Sequence, residues 1–551
     1  MSRDVDVVVV GAGPVGAALA AELGFRDISV LVLEATTGEV VDARLHAVSI
    51  RTMELARRWG IDDELRNCGW PLDHGQDVVW GTNLGEPELA RIAWPAIRDM
   101  TPPEVSPTFA QRCPQRWFNP ILTTLASRQK SVEVRMLWRM DHFRQDADGV
   151  SVWATDVERG LREEVRCRYL VGCDGARSEV RRALEIERTA SAVWGTSAEA
   201  IVRSPALAEI PIVGDIGRYT VVHEGGMSIS LLPLDGRDEF RVTLMVHDGE
   251  ASKDDIADAM TTLVGREIDF EFVTDVLPWT NRAAEAQRFV DGRVILAGDS
   301  AHTMPTTGGF GMNTGILDAV DLAWKLDALL AGWGGGALLP SYEFERRSAA
   351  RRTAALAGEI YRDWVAMKSR LADVAELAHE GERQVSARRR LQALLISTFT
   401  REFNAVGGAL GYRYEDSPIC IPDGSPSTPD TIDVYVPTAR PGHLAPHVWL
   451  SDGSSTLDLF GRDFVLLVLG EHADDPDVVA LTEAARKRGI PWRTVRLTDS
   501  RVAQMYERDI VLVRPDGHVA WRSNSVDVEI DYLLDVVSGA AAARQDITSS
   551  T

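Results

Sequence analysis

The feature that most constrains this chain is a glycine-rich turn near its N-terminus, set between two apolar runs. Residues 5–10 are a β-branched run, Gly11, Gly13 and Gly16 follow in a GxGxxG pattern, and residues 17–23 are strong helix formers. A second apolar run at residues 30–33 ends at an acidic residue. This order of strand, turn, helix, strand and acid predicts a βαβ unit of a buried parallel sheet.

Each glycine of the turn has a separate physical task. Gly11 permits the tight turn, Gly13 lets the backbone approach a pyrophosphate, and Gly16 allows the helix to pack closely on the strand. The helix N-terminus offers free N–H groups and the positive end of its dipole to phosphates. Glu34, which ends the second strand, can accept hydrogen bonds from a ribose diol. The alternative is a structural glycine turn. We predict a dinucleotide site formed by Gly11, Gly13, Pro14, Val15, Gly16, Glu34 and Ala35.

Two later segments also place an aspartate at the end of a predicted strand. Residues 169–173 lead to Asp174, and residues 293–298 lead to Asp299, which a glycine-rich loop and a predicted helix follow. An aspartate at a strand end can accept hydrogen bonds from the hydroxyl groups of a sugar chain. The N-terminus of the helix would stabilise negative charge on the edge of a flat, reduced ring such as a flavin.

In this order, the three motifs resemble those of the single-component flavoprotein aromatic hydroxylases, over roughly residues 3–420. The family pattern DGxxSxxR is matched by Asp174, Gly175, Ser178 and Arg181. The pattern GDxxH, with its proline–glycine loop and asparagine, is matched by Gly298, Asp299, His302, Pro305, Gly309, Gly311 and Asn313.

This resemblance implies an FAD cofactor, NADPH or NADH as co-substrate, molecular oxygen and a small phenolic substrate. The chain has no second βαβ glycine fingerprint, which fits family members that bind the nicotinamide coenzyme in a groove. The family also places an arginine, here Arg44, against the flavin and its phosphates. The further FAD contacts that the resemblance implies are Gln115, Asp174, Gly298, Asp299, Pro305, Gly308, Gly309, Gly311, Met312 and Asn313.

A candidate general base follows Arg44. Residues 44–54 resemble chlorophenol monooxygenases most closely, and His46 falls where the resemblance to phenol hydroxylase implies a catalytic aspartate. The family's flavin C4a-hydroperoxide survives only where water is excluded, and it attacks an electron-rich ring such as a phenolate. A histidine titrates near neutrality, so we hypothesise that His46 removes or relays the phenol proton. The alternative is a buried histidine that orients the loop, which is the role we expect for His302.

Candidate substrate contacts lie in the middle of the chain and beside the flavin loop. Alternating segments at residues 227–231 and 240–244 predict an antiparallel sheet that roofs the pocket, with Arg218 and His223 on it. Pro305 and Phe310 are expected beside the flavin ring. The family often has glutamine at the position of Phe310 and a second proline at the position of Thr306. The region beside the flavin ring therefore differs from that of the relatives.

The predicted fold is α/β, with a Rossmann-like FAD-binding domain interleaved with an antiparallel-sheet substrate domain, plus a C-terminal thioredoxin-like α/β domain. The C-terminal part has no cysteine, so a redox role is excluded and packing or dimer support is expected. The predicted bounds are 1–75, 105–185 and 280–400 for FAD binding, 76–104 and 186–279 for substrate binding, 401–430 for a linker, and 431–545 for the thioredoxin-like domain.

Composition restricts the partners. The formal net charge of the 551 residues is −23, which argues against nucleic acid and anionic membranes as partners. Five cysteines are scattered without a CxxC, which favours a reducing cytoplasm. A homodimer is implied by the resemblance alone.

Three other functions stay open at this point. The same fold could catalyse hydroxylation, epoxidation or a Baeyer–Villiger-type insertion on a polycyclic natural product. A flavin-dependent halogenase is disfavoured, because the chain has no Trp-x-Trp-x-Ile-Pro segment. A non-catalytic FAD-binding interaction protein is disfavoured by the intact flavin motifs.

Overall fold

The structure is a computed structural model that describes residues 3–40, 47–224, 226–246, 251–470 and 475–543. Eight strands of this described part form the first sheet. They are β1 Arg3–Val10, β2 Val30–Glu34, β7 Val132–Met136, β8 Trp138–Gln145, β9 Val150–Asp156, β10 Arg162–Gly172, β17 Val290–Asp291 and β18 Val294–Leu296. β18, β10, β1, β2 and β7 run parallel in that order, while β8, β9 and β17 pair antiparallel.

Three helices that carry or flank the sequence motifs lie against this sheet. They are α1 Pro14–Gly24, α4 Gln115–Ser127 and α8 Phe310–Ala331. Helix α1 packs between α4 and α8. Its alanines are buried, and their small side chains let neighbouring backbones approach closely. The glycine turn after β1 and helix α8, which follows the last glycine loop, therefore lie side by side.

A nine-stranded sheet forms the second layer of the described residues. Its strands are β4 Asp77–Gly81, β5 Ala90–Ile92, β11 Arg188–Arg203, β12 Ile216–His223, β13 Gly226–Pro233, β14 Glu239–Val246, β15 Glu271–Phe272, β16 Leu277–Ala286 and β19 His302–Thr303. The order is β19-β16-β11-β14-β13-β12-β4-β5, and β15 pairs with β11. Alternation along β12 to β14 makes the two faces of this sheet different in polarity.

One face is apolar: Leu231, Phe240 and Val242 pack in one cluster with buried residues of helix α7 Lys253–Val264. The opposite face carries a polar row, because Glu199 lies opposite Thr243, which in turn lies opposite a serine of β13. A strand alternates its side chains between faces, so residues two positions from this row share its face. Arg218, one of the candidate substrate contacts on β12, is one of them.

The remaining helices connect the two sheets or cover their ends. They are α2 Ile50–Trp59, α3 Asp62–Arg66, α5 Glu179–Ala183, α6 Pro205–Ala208, α9 Leu338–Arg370, α10 Glu382–Phe403 and α11 Val406–Leu410. The short strands β3 Ala47–Val48 and β6 Gln111–Arg112 pair with each other. Residues 401–410, placed in the predicted linker, are mostly helical, because buried Leu395 and Phe399 continue the apolar stripe of α10. The segment 411–455 carries no named helix or strand among the described residues, although much of it is buried.

The C-terminal residues form a four-stranded mixed sheet of thioredoxin-like topology. Its elements are β20 Phe464–Leu469, α12 Pro476–Lys487, β21 Trp492–Leu497, α13 Ser500–Tyr506, β22 Ile510–Val513, β23 Val519–Ser523 and α14 Ile530–Val537. The order is β21-β20-β22-β23, with β20 and β21 parallel and the other pairs antiparallel. Its core is continuous with the rest, since Trp324 and Leu338 belong to the same apolar cluster.

The predicted fold class is confirmed. Helix α8 begins at Phe310, directly after two glycines with positive φ. The 3-10 segment Ala372–Ala378 separates α9 from α10. The domain boundaries stay predictions. Within the described residues, no helix is both long and apolar enough to cross a bilayer.

Candidate active site

The glycine turn after β1 is packed tightly on one side and open on the other. Gly11 has a φ of 100°, and a Cβ added there would lie 2.6 Å from the carbonyl oxygen of Cys173. A Cβ on Gly16 would lie 1.9 Å from the carbonyl oxygen of Gly11. A Cβ on Gly13 would meet nothing within 4 Å. The open position is therefore the one where the sequence predicts close approach of a pyrophosphate.

The carboxylate of Glu34 is fixed beside this turn. Its Oε2 accepts a hydrogen bond from the Ala12 backbone N–H at 2.8 Å. Its Oε1 accepts bonds from the backbone N–H and the hydroxyl of Thr36, at 3.0 and 2.7 Å. Pro14 and Val15 begin helix α1, and Ala35 is exposed next to Glu34. The acid is thus held at the carboxyl end of β2, close to the helix N-terminus.

Asp174 lies at the carboxyl end of β10, next to Gly11, where a Cβ on that glycine would be 3.2 Å from its Cα. Its Oδ2 accepts the backbone N–H groups of Glu179 and Val180 at 2.6 and 3.1 Å, which caps helix α5. Its Oδ1 is buried and has no hydrogen-bond partner among the residues that the structure describes. One carboxylate oxygen therefore remains for a ligand.

The third motif meets the first at Val15. A Cβ on Gly298 would lie 2.8 Å from a methyl group of Val15, and a Cβ on Gly315 would lie 2.6 Å from the same methyl group. The side chain of Asp299 is exposed, and its backbone carbonyl accepts a hydrogen bond from Arg188. The two strand-end aspartates and the glycine turn thus converge at one edge of the parallel sheet, the usual ligand edge of such folds.

His302 lies behind this edge and not in it. Its ring is 3% exposed, and Nε2 lies 2.7 Å from Oδ2 of Asp318. The same carboxylate accepts the Gly298 backbone N–H at 2.9 Å and the Arg346 Nε–H at 2.7 Å. His302 therefore supports the turn that carries Asp299, in agreement with the structural role expected for it.

The glycine loop before α8 is shaped by two residues in the left-handed region. Gly308 has a φ of 74° and Gly309 a φ of 65°. Asn313 ties the loop to α2, since its Oδ1 accepts the Ser49 backbone N–H at 2.9 Å and the Thr52 hydroxyl at 2.8 Å. Its amide donates to the Gly309 carbonyl at 2.8 Å. The N-terminus of α8, which includes the half-buried Gly311 and Met312, is fixed at the end of this loop.

The other predicted contacts are more scattered. Pro305 is buried, and Phe310 is buried in a cluster with residues of α9, among them Leu356 and Ile360. Gln115 is half-buried at the first position of α4. Arg44 and His46 lie outside the described residues, so their predicted roles stay predictions.

The polar face of the second sheet contacts the flavin loop at two points. The hydroxyl of Thr306 donates to Oδ1 of Asn281 on β16 at 3.2 Å. The carboxylate of Glu402 on α10 lies close enough to the backbone of Gly308 for that backbone to lower its pKa, and it lies 3.5 Å from a guanidinium nitrogen of Arg218. Burial raises the pKa of Glu402, against the opposing effect of Arg218. The sheet therefore lies beside the loop.

Arg218 is enclosed by aromatic and charged groups. Its guanidinium lies 4.5 Å from the ring centroid of Trp364, whose indole N–H donates to Glu402 at 2.7 Å. Its Nε is buried and has no hydrogen-bond partner within the described part of the chain. Burial lowers the pKa of Arg218, and nearby Arg241 lowers it further. His223, by contrast, ends β12 and is bonded to Ser228 at 2.7 Å.

Two further arginines lie in this region of the described structure. Arg112 stacks on Trp70 at 4.9 Å, and burial lowers its pKa to about 10, with Arg241 adding to the shift. Arg241 lies 3.9 Å from Glu199. We refer to Arg112, Arg218 and Arg241 as the arginine cluster; Glu199 and Glu402 are the two carboxylates beside it. Sequence reasoning missed all of these residues except Arg218, although the alternation of β14 could have placed Arg241 on its face.

The donor set at the sheet edge fits FAD. Strand-end carboxylates suit the hydroxyl groups of a ribose and a ribityl chain, the open Gly13 suits a pyrophosphate, and the N-terminus of α8 suits the electron-rich edge of a reduced ring. When bound, FAD supplies the activated oxygen for hydroxylation. The residues that would hold FAD are Gly11, Gly13, Glu34, Asp174, Asp299 and Asn313.

Comparison with known proteins agrees with this geometry. A family model described as an FAD binding domain matches residues 4–357, and one described as the aromatic-ring hydroxylase C-terminal region matches residues 438–541. The chain is 33% identical to aklavinone 12-hydroxylase RdmE of Streptomyces purpurascens over 562 residues, covering 97% of this chain and 98% of the relative. It is 29% identical to 2,4-dichlorophenol 6-monooxygenase of Cupriavidus pinatubonensis over 596 residues, covering 98% and 97%.

A solved structure is similar over the whole length. The rebeccamycin biosynthetic enzyme RebC with reduced flavin superposes with a TM-score of 0.89 and 36% sequence identity, covering 98% of this chain and 100% of that one. The chlorophenol resemblance of the sequence is confirmed by the dichlorophenol monooxygenase match. The chain therefore belongs to the FAD-binding aromatic-ring hydroxylases, and it is an FAD-dependent aromatic-ring monooxygenase that uses NAD(P)H.

Proposed function

We propose that this monooxygenase hydroxylates a phenolic aromatic substrate that also carries a carboxylate. The observation that carries this proposal is the arginine cluster on the polar face of the second sheet. Arg218 and Arg241 lie on this face, and Glu402 lies beside both Arg218 and the backbone of Gly308 in the flavin loop. A carboxylate bound here would sit beside the predicted flavin site.

The burial of Arg218 favours an anion over a neutral ligand. Its guanidinium lies 3.5 Å from the carboxylate of Glu402, and burial lowers its pKa. A partly buried guanidinium is costly unless an anion or a hydrogen-bond acceptor compensates it. The buried Nε of Arg218 provides a donor for such an acceptor. A charge-assisted hydrogen bond of this type contributes about 1.5–3 kcal/mol.

Two versions of this proposal differ in the number of aromatic rings in the substrate, which is one ring or several fused rings. One relative is named for a chlorophenol and another for aklavinone, and the chain is similar to both over nearly its full length. The first assay is NAD(P)H oxidation by the FAD-loaded protein with product analysis. The panel pairs each phenol with its carboxylated analogue, from single rings to polycyclic phenols. Oxidation that is stimulated by a carboxylated phenol, with gain of one oxygen atom, supports the proposal, and stimulation by neutral phenols alone overturns it.

Arg241→Gln is expected to raise KM for the carboxylated substrate by about 10–100-fold, which corresponds to the loss of one charge-assisted bond. The kcat should change by only a few fold, because the bond is present in ground state and transition state alike. The methyl ester of the same substrate should show little change in KM. Arg139→Gln, at an exposed arginine of the other sheet, is the control variant. An equal rise of KM for acid and ester would contradict a carboxylate contact.

We also propose that His46 accepts the phenol proton, as its position in the family pattern suggests. The kcat/KM of the wild type should then decrease when the pH falls below about 6.5, the ordinary pKa of histidine. Protonated His46 cannot act as a base, so activity is lost as pH decreases. His46→Gln should remove this acid limb and reduce kcat by roughly 10²–10⁴-fold. His142→Gln, at an exposed histidine stacked on Trp153, is the control. Wild-type turnover of His46→Gln at every pH would sink the hypothesis.

Three further proposals concern the setting of the enzyme. All five cysteines are free thiols, four of them buried, which supports a reducing compartment such as the cytoplasm. A homodimer and the choice between NADPH and NADH stay proposals from the family resemblance. Size-exclusion chromatography with light scattering, and KM values for both coenzymes, test them directly.

A further inference from the structure

A turn of the C-terminal domain inserts into the helices that hold the flavin site. This turn, residues 514–518, joins β22 to β23. The side chain of Arg514 is fully buried and reaches Asp321 on α8 at 3.0 Å and Glu345 on α9 at 2.5 Å. Lys325 on α8 lies 2.8 Å from Asp321 and 2.6 Å from Glu345. The C-terminal domain is thus joined to α8 and α9 by buried ion pairs.

The charges of this contact can balance only as a group. Asp321, Glu345 and Asp516 face the two cations Lys325 and Arg514. Burial raises the pKa of Asp321 to about 8, with Lys325 opposing the shift and Glu345 adding to it. Loss of the turn would remove Arg514 and Asp516 and leave Asp321 and Glu345 buried with the single cation Lys325.

A second connection runs from the same turn to the FAD motif. His518 stacks on Tyr414 with ring centroids 4.2 Å apart. The hydroxyl of Tyr414 accepts a hydrogen bond from Arg346 at 2.8 Å. Arg346 also donates to Asp318 at 2.7 Å and to the Thr314 carbonyl at 3.0 Å. Asp318 is the carboxylate that holds the backbone N–H of Gly298.

We propose that the turn 514–518 positions the Gly298–Asp299 turn and the N-terminus of α8 for FAD, through Tyr414, Arg346 and Asp318. These are positioning residues, since none of them is placed against the flavin. Every side chain in the path is buried, so solvent relaxes the contacts little. The C-terminal domain would then set cofactor affinity, which is a different role from packing or dimer support.

Tyr414→Phe tests the proposal with a minimal change. It removes one hydroxyl from the path and keeps the ring that stacks on His518. The matched control is Tyr506→Phe, which removes a fully buried hydroxyl that donates to the Pro446 carbonyl at 2.8 Å, away from the FAD motifs. The readouts are the Kd of FAD from fluorescence titration of the apoprotein, the visible spectrum of the bound flavin, and the Tm of the apoprotein.

Tyr414→Phe is expected to raise the Kd of FAD by about 5–20-fold and to change the flavin spectrum, while Tyr506→Phe leaves the Kd within about twofold. Both variants should lower Tm by similar amounts, because each loses one buried hydrogen bond. An unchanged Kd in Tyr414→Phe, or equal changes of Kd in both variants, would overturn the proposal and leave only an interdomain contact.

A second variant keeps the test decisive. Arg346→Lys retains a positive charge beside Asp318 but loses the planar fork that joins Asp318, Thr314 and Tyr414. It should raise the Kd of FAD at least as much as Tyr414→Phe does. The double variant should bind FAD no more weakly than Arg346→Lys alone. Additive losses in the double variant would show that the two residues act independently.

Discussion

Gly16→Ala is expected to leave little folded protein. Its Cβ would lie 1.9 Å from the backbone carbonyl oxygen of Gly11. The position of a Cβ is fixed by its own backbone, so neither atom can rotate away. Helix α1 would have to move off the turn, and Val15 would lose its place against Gly298 and Gly315. Overpacking a core costs about 1–3 kcal/mol even when side chains can adjust. A backbone clash costs more, against a total stability of about 5–15 kcal/mol.

Gly13→Ala is the matched comparison, with the opposite balance of effects. Gly13 has a φ of −65° and a ψ of 180°, which alanine adopts without strain, and the added methyl group would meet nothing within 4 Å. The apoprotein should therefore unfold at the wild-type temperature. The Kd of FAD should rise at least about 100-fold, because the methyl group occupies the surface that the pyrophosphate approaches.

Thermal unfolding of both apoproteins and fluorescence titration with FAD separate the two cases. Gly16→Ala should lower Tm by more than about 10 °C or fail to accumulate, while Gly13→Ala changes the Kd alone. Wild-type FAD affinity in Gly13→Ala would move the pyrophosphate away from this turn. A stable Gly16→Ala would mean that α1 does not need to pack this closely.

Much of the fold could be predicted, because its signals are local. The βαβ unit depends on an apolar run, a glycine turn and an alanine-rich helix that follow one another directly. Strands β20 and β22 have the bounds that the apolar runs at residues 464–469 and 510–513 predict, since polar or turn residues flank both runs. The FAD motifs were visible for the same reason: each needs glycine or aspartate at a fixed backbone position.

The proposed substrate site could not be predicted in the same way, because it is formed by long-range contacts. Arg218 and Glu402 lie 184 positions apart in the chain, and no local pattern joins them. Arg241 shares a face with the polar row only in the observed register of β13 and β14. Residue 402 lies within the predicted linker, but the structure places it in α10, which ends at Phe403.

The interdomain ion pairs were missed for a further reason. A buried lysine or arginine has no sequence signature that separates it from an exposed one. Lys325, Glu345 and Arg514 are all fully buried, although charged residues at such positions in a helix or a turn ordinarily face solvent. Only the packing of the C-terminal turn on α8 and α9 reveals them, and it predicts a large contribution of that turn to stability.

Arg514→Met is expected to cost about 3–5 kcal/mol, the usual loss when one partner of a buried ion pair is removed. It leaves Asp321, Glu345 and Asp516 buried with the single cation Lys325. The measurement is thermal and urea unfolding of the apoprotein at neutral pH, which excludes any contribution from FAD. The control is Arg501→Met, at an exposed arginine paired with Asp499, which should change stability by less than about 1 kcal/mol.

The double variant Arg514→Met with Glu345→Gln decides whether charge balance is the cause. It removes one cation and one anion, so Asp321 and Asp516 remain with Lys325 and no additional uncompensated charge is created. The double variant should therefore be less destabilised than the sum of the two single variants, with a coupling energy of roughly 1–3 kcal/mol. Additive losses would instead assign the stability of this contact to packing of the arginine side chain against Trp324 and Tyr414.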